Sequence, residues 1–185
     1  MSTGSSGSAG VPRWAGRRAT AVAVAAYLLS LLALQLSDAV LHRFDDATKP
    51  DLRASGYSRE DLLALLTAYG PDGRVAYGVN LVVDTVYPLA LAAAAVLLAA
   101  RAFDGRYRWL WVPPLAFAAL DVVENVLLGV ATAAYPDVPG GLVAVASPLT
   151  QVKLVTFLAT MVVLLLSAGT VVVRWWRRRP AVPRR

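Results

Sequence analysis

Four long apolar runs constrain what this chain of 185 residues can fold into. They cover approximately residues 19–37, 77–100, 109–134 and 143–173. A run of about 18 or more apolar residues predicts a membrane-spanning helix, because about 20 helical residues cross the hydrocarbon core of a bilayer. We therefore predict an all-α fold, a bundle of four transmembrane helices, with a single membrane domain over residues 19–173.

The composition supports lipid as the solvent and excludes several classes of protein. Hydrophobic residues make up 57% of the chain and charged residues 16%, against about 45–50% and 25% in soluble domains. An intrinsically disordered chain would need low hydrophobicity and high charge. The absence of cysteine excludes disulfides and thiolate chemistry, and a single histidine excludes a multi-histidine metal site. We predict no metal and no cofactor.

The distribution of arginine predicts the orientation of the spans. Twelve arginines flank the apolar runs in three groups, namely Arg13, Arg17 and Arg18, then Arg101, Arg106 and Arg108, then Arg174, Arg177, Arg178, Arg179, Arg184 and Arg185. Cationic residues mark the cytoplasmic ends of membrane helices. We expect a multi-pass protein of the cell (inner or plasma) membrane with both termini cytoplasmic and residues 38–76 and 135–142 outside. This distribution does not indicate a nucleic-acid-binding face, so no nucleic-acid partner is expected.

The two ends of the chain are polar or basic. We predict that residues 1–18 form a disordered basic cytoplasmic leader and that residues 174–185 form a basic cytoplasmic tail. The first apolar run, of about 18 residues, is longer than the core of a typical signal peptide, which has roughly 7–15. We therefore expect an uncleaved span, with cleavage near Ser37-Asp38-Ala39 as the alternative.

The first outer loop contains the pattern of a short amphipathic helix. Ser58 and Asp61 have the spacing of a capping box. Apolar residues follow at helical spacing, at Leu62, Leu65, Leu66 and Tyr69. Gly70 then stops the helix, and Pro71 starts the next element. We expect a helix over 58–69 that either lies along the membrane surface or covers the mouth of the bundle.

Four ionisable residues lie within the predicted spans, at an insertion cost of about 2.5–3.5 kcal/mol each. They are Asp84, Asp121, Glu124 and Lys153. Helical spacing adds polar neighbours on the same faces, namely Asn80 and Tyr87 in the second span, Asn125 in the third, and Thr150 in the fourth. At about 1.5 Å per residue all four ionisable groups lie in the middle or outer half of the membrane. We predict one buried cluster of these residues, with Gln151 beside them.

The charges of this cluster do not balance. Three carboxyl groups and one ammonium group would carry a net charge of −2, which is costly in a low-dielectric medium. We expect one or two of the acids to be protonated, or a cation to be bound. The alternative is that the polar groups only fix the register of the helices.

The polar motifs together resemble those of a known family. They are Asp84-x-x-Tyr87-Pro88, Asp121-x-x-Glu124-Asn125 and Ser147-x-x-Thr150-x-x-Lys153. They resemble a family of small four-span bacterial integral membrane proteins, over residues 20–173. The resemblance implies a four-span architecture and polar residues that act as a set, and it implies no activity.

Three functions fit these observations. The first is a membrane protein with a polar pocket, open toward the outer half of the membrane, that binds a cation, a proton or a lipid headgroup. The second is an acid–base enzyme on a lipid-like substrate, with Asp121 and Glu124 as acid and base and Lys153 stabilising negative charge. The third is an accessory subunit that uses the cluster as helix glue, with another membrane protein or a second copy as its partner.

Overall fold

Four long helices form the fold, as the sequence predicts. The structure is a computed structural model that describes residues 11–177. The helices are α1 (Arg17–Leu41), α2 (Arg59–Ala102), α3 (Val112–Ala133) and α4 (Gly140–Arg177). The described residues include no β-strand. The predicted all-α four-helix bundle is thus confirmed. The expectations for residues 1–10 and 178–185 lie outside the described residues.

Successive helices run in opposite directions, which gives the bundle two distinct ends. At the first end, here called the termini end, Arg174 near the end of α4 lies 3.2 Å from Asp104 in the connection between α2 and α3. At the opposite end, here called the loop end, Arg59 donates to the carbonyl of Val138 at 2.7 Å. The 42–58 and 134–139 connections both lie at the loop end.

Helix α2 is the centre of the bundle. It packs against α1, α3 and α4, whereas α1 packs chiefly against α2. The second half of α2 is rich in alanine that is buried on more than one side of the helix, at Ala94, Ala95, Ala99 and Ala100. Small side chains let neighbouring helix backbones approach closely in a membrane. These alanines therefore let α2 pack closely against more than one neighbouring helix.

A break at Gly70 divides α2 into two parts. Ser58 and Asp61 form the predicted capping box, with each side chain bonded to the other's backbone N–H. Gly70 has φ 65° and ψ −175°, a conformation that is essentially confined to glycine. Residues 59–69 form the predicted amphipathic helix, and the helix that contains the second predicted span begins at 71, because Pro71 restarts the helix at once.

The amphipathic segment covers the loop end of the bundle. Leu62 and Leu66 are almost completely buried. They share a hydrophobic core with residues of the second part of α2, of α3 and of α4, namely Tyr77, Leu81, Leu128, Ala131 and Val143. Of the two predicted placements, the structure shows the one over the bundle mouth.

The other helix boundaries follow from glycine and proline. Helix α1 begins at Arg17, after a 3₁₀ turn over Arg13–Ala15, so helical structure extends into the predicted leader. Another 3₁₀ turn, Arg108–Trp111, precedes α3, whose first turn contains prolines. Helix α4 spans 38 residues, roughly 57 Å at 1.5 Å per residue, and so extends beyond a hydrocarbon core of about 30 Å.

The outside of the bundle is apolar. All four helices are long and apolar enough to cross a membrane. Large aliphatic side chains project from their surfaces, for example Val82 (69% exposed) and Leu165 (70% exposed). Trp109, Trp175 and Trp176 are exposed near the termini end, as expected for the aromatic residues of a membrane interface. The chain is a multi-pass membrane protein.

Candidate functional site

Lys153 of α4 holds two carboxylates of α3 inside the bundle. Its Nζ lies 3.1 Å from Asp121 Oδ1 and also pairs with Glu124 Oε2. Asp121 and Glu124 lie on one face of α3 because they are three residues apart. All three side chains are buried, and Glu124 is completely so. These ion pairs connect α3 to α4.

Asn125 connects this pair of helices to α2. Its Nδ2 donates to Asp121 Oδ2 at 2.9 Å, to Thr85 Oγ1 at 3.2 Å and to Asp84 Oδ2 at 3.4 Å. The Oδ1 atom of Asn125 is buried and has no hydrogen-bond partner within residues 11–177. Asp84 and Asp121 thus accept hydrogen bonds from the same amide group, and the bond to Asp84 is the longest of the three.

Thr150 completes the group on α4. It is completely buried, and its hydroxyl donates to Glu124 Oε1. We call this group of six residues the deep cluster: Asp84, Asp121, Glu124, Asn125, Thr150 and Lys153. The structure therefore brings together all four ionisable residues of the predicted spans, from three helices.

A second polar group lies at the loop end. Lys49 Nζ lies 2.8 Å from Asp38 Oδ1, 3.2 Å from Asn80 Oδ1 and 3.6 Å from Asp51 Oδ2. Asn80 Nδ2 in turn donates to Ser37 Oγ and Asp38 Oδ1, each at 2.9 Å. We call these five residues the loop cluster: Ser37, Asp38, Lys49, Asp51 and Asn80.

The sequence analysis missed most of the loop cluster. Lys49 and Asp51 lie in the 42–58 connection, where no periodicity assigns a side chain to a face. The one sequence feature that could have indicated Lys49 is the rarity of lysine in this chain. The chain has only two lysines among 18 basic residues, and both are buried beside carboxylates.

Two tyrosines lie between the clusters. The hydroxyls of Tyr57 and Tyr77 are buried and lack hydrogen-bond partners among the described residues, as does Asp51 Oδ1. Tyr57 interacts electrostatically with Asp51 on one side and with Glu124 and Lys153 on the other. Asp51 likewise interacts with Lys153. We call the two clusters and these two tyrosines together the polar region.

Three predicted members of the cluster lie elsewhere. Gln151 is exposed because it is one residue, or about 100° of helix, from Thr150. Tyr87 is partly exposed, and its ring packs against Tyr27 of α1 at 5.9 Å between centroids. Asn80 is completely buried, but it belongs to the loop cluster.

The environment of the 42–58 connection shifts the pKa of two groups. Burial lowers the pKa of Lys49, but the carboxylates of Asp51, Asp38 and Asp84 outweigh burial and hold this pKa above its ordinary value of 10.5. Burial raises the pKa of the Tyr57 hydroxyl well above its usual range. Near neutral pH, Lys49 is therefore a fixed cation, and Tyr57 is a neutral hydrogen-bonding group.

The polar region suits the chemistry of protons and small cations. Five carboxyl groups surround two ammonium groups: Asp38, Asp51, Asp84, Asp121 and Glu124 around Lys49 and Lys153. Full ionisation would leave a net charge of −3, and buried uncompensated charge is costly. Within residues 11–177, no group of three or more His, Cys, Asp or Glu side chains is placed to hold a metal ion.

Comparisons with known proteins give no match. No family model, no curated protein and no solved structure matches the chain.

Proposed function

We propose that the chain is an integral membrane protein that binds a proton or another small cation in the deep cluster, with Asp84 as the accepting carboxyl group. One observation carries the proposal. Asp84 is a buried carboxyl group without a cationic partner. No lysine, arginine or histidine nitrogen of residues 11–177 lies within 4.0 Å of it.

The neighbours of Asp84 show why this carboxyl group differs from the other acids. Asp121 has Lys153 at 3.1 Å, and Asp38 has Lys49 at 2.8 Å. Among the described residues, the only hydrogen bond to Asp84 comes from the shared amide of Asn125, at 3.4 Å, and both lysines act on Asp84 from beyond contact distance. A carboxylate at this depth without compensation is expensive, whereas a bound proton or cation would remove the cost.

Further oxygen atoms near Asp84 support a cationic ligand. Pro88 lies inside α2 and has no N–H to donate to the carbonyl of Asp84, four residues earlier. The side-chain oxygen of Asn125 is buried without a donor among the described residues. Both are acceptors, so they suit a proton donor or a cation and do not suit an anion.

The loop end supplies the access route in this proposal. A groove of about 150 Å³ opens there beside Asp38, Lys49 and Tyr69. Polar atoms of Asp51, Tyr57 and Tyr77 are buried without hydrogen-bond partners among the described residues, and these three residues do not line the groove. Buried polar groups in proteins are nearly always satisfied, often by ordered water. Water at these atoms would connect the groove to the deep cluster.

The orientation in the cell follows from the arginines. The termini end carries the arginine groups that mark the cytoplasmic side, so we propose that the loop end and its groove face outward from the cell membrane. Membership in the family of small four-span bacterial membrane proteins is part of the same proposal. Its three motifs supply Asp84, Asp121, Glu124, Thr150 and Lys153 of the deep cluster.

The competing proposal is that the deep cluster only joins helices. It is favoured by the ion pairs of Lys153, which hold α3 against α4. An acid–base enzyme has less support, because Glu124 is completely buried and Lys153 is occupied by two carboxylates. A structural role predicts that Asp84 does not titrate or bind a ligand.

Infrared difference spectroscopy of the purified full chain in lipid nanodiscs tests the proposal. In the wild type, a pH step should give a difference band from a carboxylic acid. This band should be absent from the spectrum of the Asp84→Asn protein. The matched control is Asp72→Asn, which removes an exposed carboxyl group from the same helix. Addition of sodium, potassium or choline chloride at constant pH distinguishes the proton from another cation, because only a competing cation would displace the band.

One outcome of this experiment would contradict the proposal. If Asp84→Asn and wild type give the same band at every pH, and no salt alters the spectrum or the thermal stability, Asp84 binds neither a proton nor a cation. The deep cluster would then be assigned to helix packing.

A further inference from the structure

A second concave region lies at the termini end, far from the polar clusters. It is a groove of about 390 Å³ between the start of α1, the end of α2 and the end of α4. Three arginines line it, one from each helix: Arg17, Arg101 and Arg174. Three cationic side chains from three helices therefore converge on one groove.

An apolar groove continues from these arginines along the bundle. It has a volume of about 430 Å³ and shares Arg17, Arg101 and Val171 with the first groove. Its remaining walls are small or aliphatic, with Val24 and Leu28 on α1 and Leu98 on α2. The two grooves together form one continuous surface, with cationic side chains at one end and apolar side chains along the rest.

The packing of α1 explains why this space exists. Helix α1 packs chiefly against α2 and makes few contacts with α4. A gap therefore remains between α1 and α4 on the surface of α2. This gap opens to the side of the bundle, where Val22 and Leu28 are exposed.

The positive charge of the groove is only partly neutralised by the residues that the structure describes. No carboxylate of residues 11–177 lies within 4.0 Å of Arg17 or Arg101. Arg174 has one acidic partner, Asp104 at 3.2 Å. Arg101 also donates to the carbonyl of Ala15 at 3.2 Å, which fixes its position at the groove. The flanking segments 1–10 and 178–185 contain no acidic side chain that could fill it.

From these features we infer that the groove is a binding site for an anionic phospholipid. The phosphate lies among Arg17, Arg101 and Arg174, and one acyl chain lies along the apolar groove between α1 and α4. Basic pockets between membrane helices bind anionic headgroups in this manner. A free phosphate would use the arginines alone, whereas a lipid also uses the apolar groove. This site is independent of the cation site at the other end of the bundle.

Native mass spectrometry of the full chain tests the inference. The protein is released from nanodiscs of phosphatidylcholine with an equal amount of phosphatidylglycerol, and the lipids that remain bound are counted. Wild type should retain phosphatidylglycerol well above its share in the bilayer. Each groove arginine removed should reduce this preference about fivefold, the usual contribution of one basic residue near anionic lipid.

The variants are Arg17→Gln and Arg17→Gln/Arg101→Gln, with Arg18→Gln as the control. Arg18 has the same charge on the same helix and does not line either groove. Arg17→Gln alone keeps the contact between Arg101 and Ala15, so a loss of preference there does not reflect misfolding. Equal retention by Arg17→Gln and Arg18→Gln would overturn the inference. The same thermal stabilisation by inorganic phosphate as by phosphatidylglycerol would also overturn it, and would indicate a free-anion site.

Discussion

Asn80 and Asp84 lie one helical turn apart on α2, yet they belong to different polar clusters. Asn80 Oδ1 accepts a hydrogen bond from Lys49 at 3.2 Å, and Asp84 Oδ2 accepts one from Asn125 at 3.4 Å. One face of α2 therefore joins the two clusters. Each cluster contains one of the two lysines of the chain, and a compact ammonium with three donors suits a position among several carboxylates.

Replacement of Lys153 should destabilise the protein strongly. Lys153→Met leaves Asp121 and Glu124 buried without their cation, and breaking a buried ion pair costs about 3–5 kcal/mol. Thermal and denaturant unfolding of the full chain in detergent measures the loss. Gln151→Met, on an exposed position two residues away, should change stability little. A Lys153→Met protein as stable as wild type would contradict the ion pairs described above.

Replacement of Asp84 should have the opposite effect to replacement of Asp121. Asp84→Asn removes a charge that has no cationic partner and keeps an acceptor for Asn125, so stability should stay unchanged or rise, as is common at functional sites. Asp121→Asn removes one carboxylate from Lys153 and should cost about 1–3 kcal/mol. The same unfolding assay compares the two. Equal losses would indicate that both acids only hold the helices together.

Lys49 should attach the 42–58 connection to the bundle. Lys49→Met removes the contacts with Asp38, Asp51 and Asn80, so amide hydrogen exchange across residues 42–58 should become faster. Arg43→Met is the control, because Arg43 is exposed in the same connection. Unchanged exchange in Lys49→Met would show that Lys49 does not hold the connection.

The pH dependence of the Lys49 contribution follows from its raised pKa. A group whose pKa is higher in the folded state stabilises that state fully below its unfolded value, and the contribution declines as the pH rises through the folded value. The stability difference between wild type and Lys49→Met should therefore be constant from neutral pH to pH 10.5, the ordinary value for lysine, and should decline at higher pH. A difference that already declines near neutral pH would contradict this assignment.

Gly70 should be required for the break in α2. An alanine at φ 65° and ψ −175° is strained, and such a conformation costs about 1–3 kcal/mol. Gly70→Ala should lower stability by that amount, although a Cβ there would meet no atom within 4 Å. Gly78→Ala, also without a neighbour within 4 Å but at a helical position, should leave stability unchanged or raise it slightly. Equal effects of the two substitutions would show that the backbone conformation is not the cause.

Regular periodicity made much of the fold predictable. The apolar runs predicted four helices, and the sequence of Ser58, Asp61 and Gly70 predicted the short helix and its end. Helical spacing placed Asp121 and Glu124 on one face and opposite Lys153. In each case, a side chain's direction follows from its position along a helix.

The remainder depended on irregular backbone and on the direction of individual side chains. Lys49 and Asp51 lie in a connection whose path is set by tertiary contacts. Their positions close to Asn80 could therefore not be predicted from helical periodicity. Gln151 was placed in the cluster because it adjoins Thr150, although the next residue of a helix points about 100° away. Tyr87 follows the spacing of the polar face, but its ring packs against Tyr27 at 5.9 Å between centroids.

The distribution of the two lysines has a consequence for biogenesis. The first helical hairpin, α1 and α2 with their connection, contains Lys49 together with Asp38 and Asp51. The second hairpin, α3 and α4, contains Lys153 together with Asp121 and Glu124. Each hairpin can therefore enter the bilayer with its own lysine already paired to carboxylates. The step that remains is lateral docking of two preformed units, in which Asn125 of one meets Asp84 of the other.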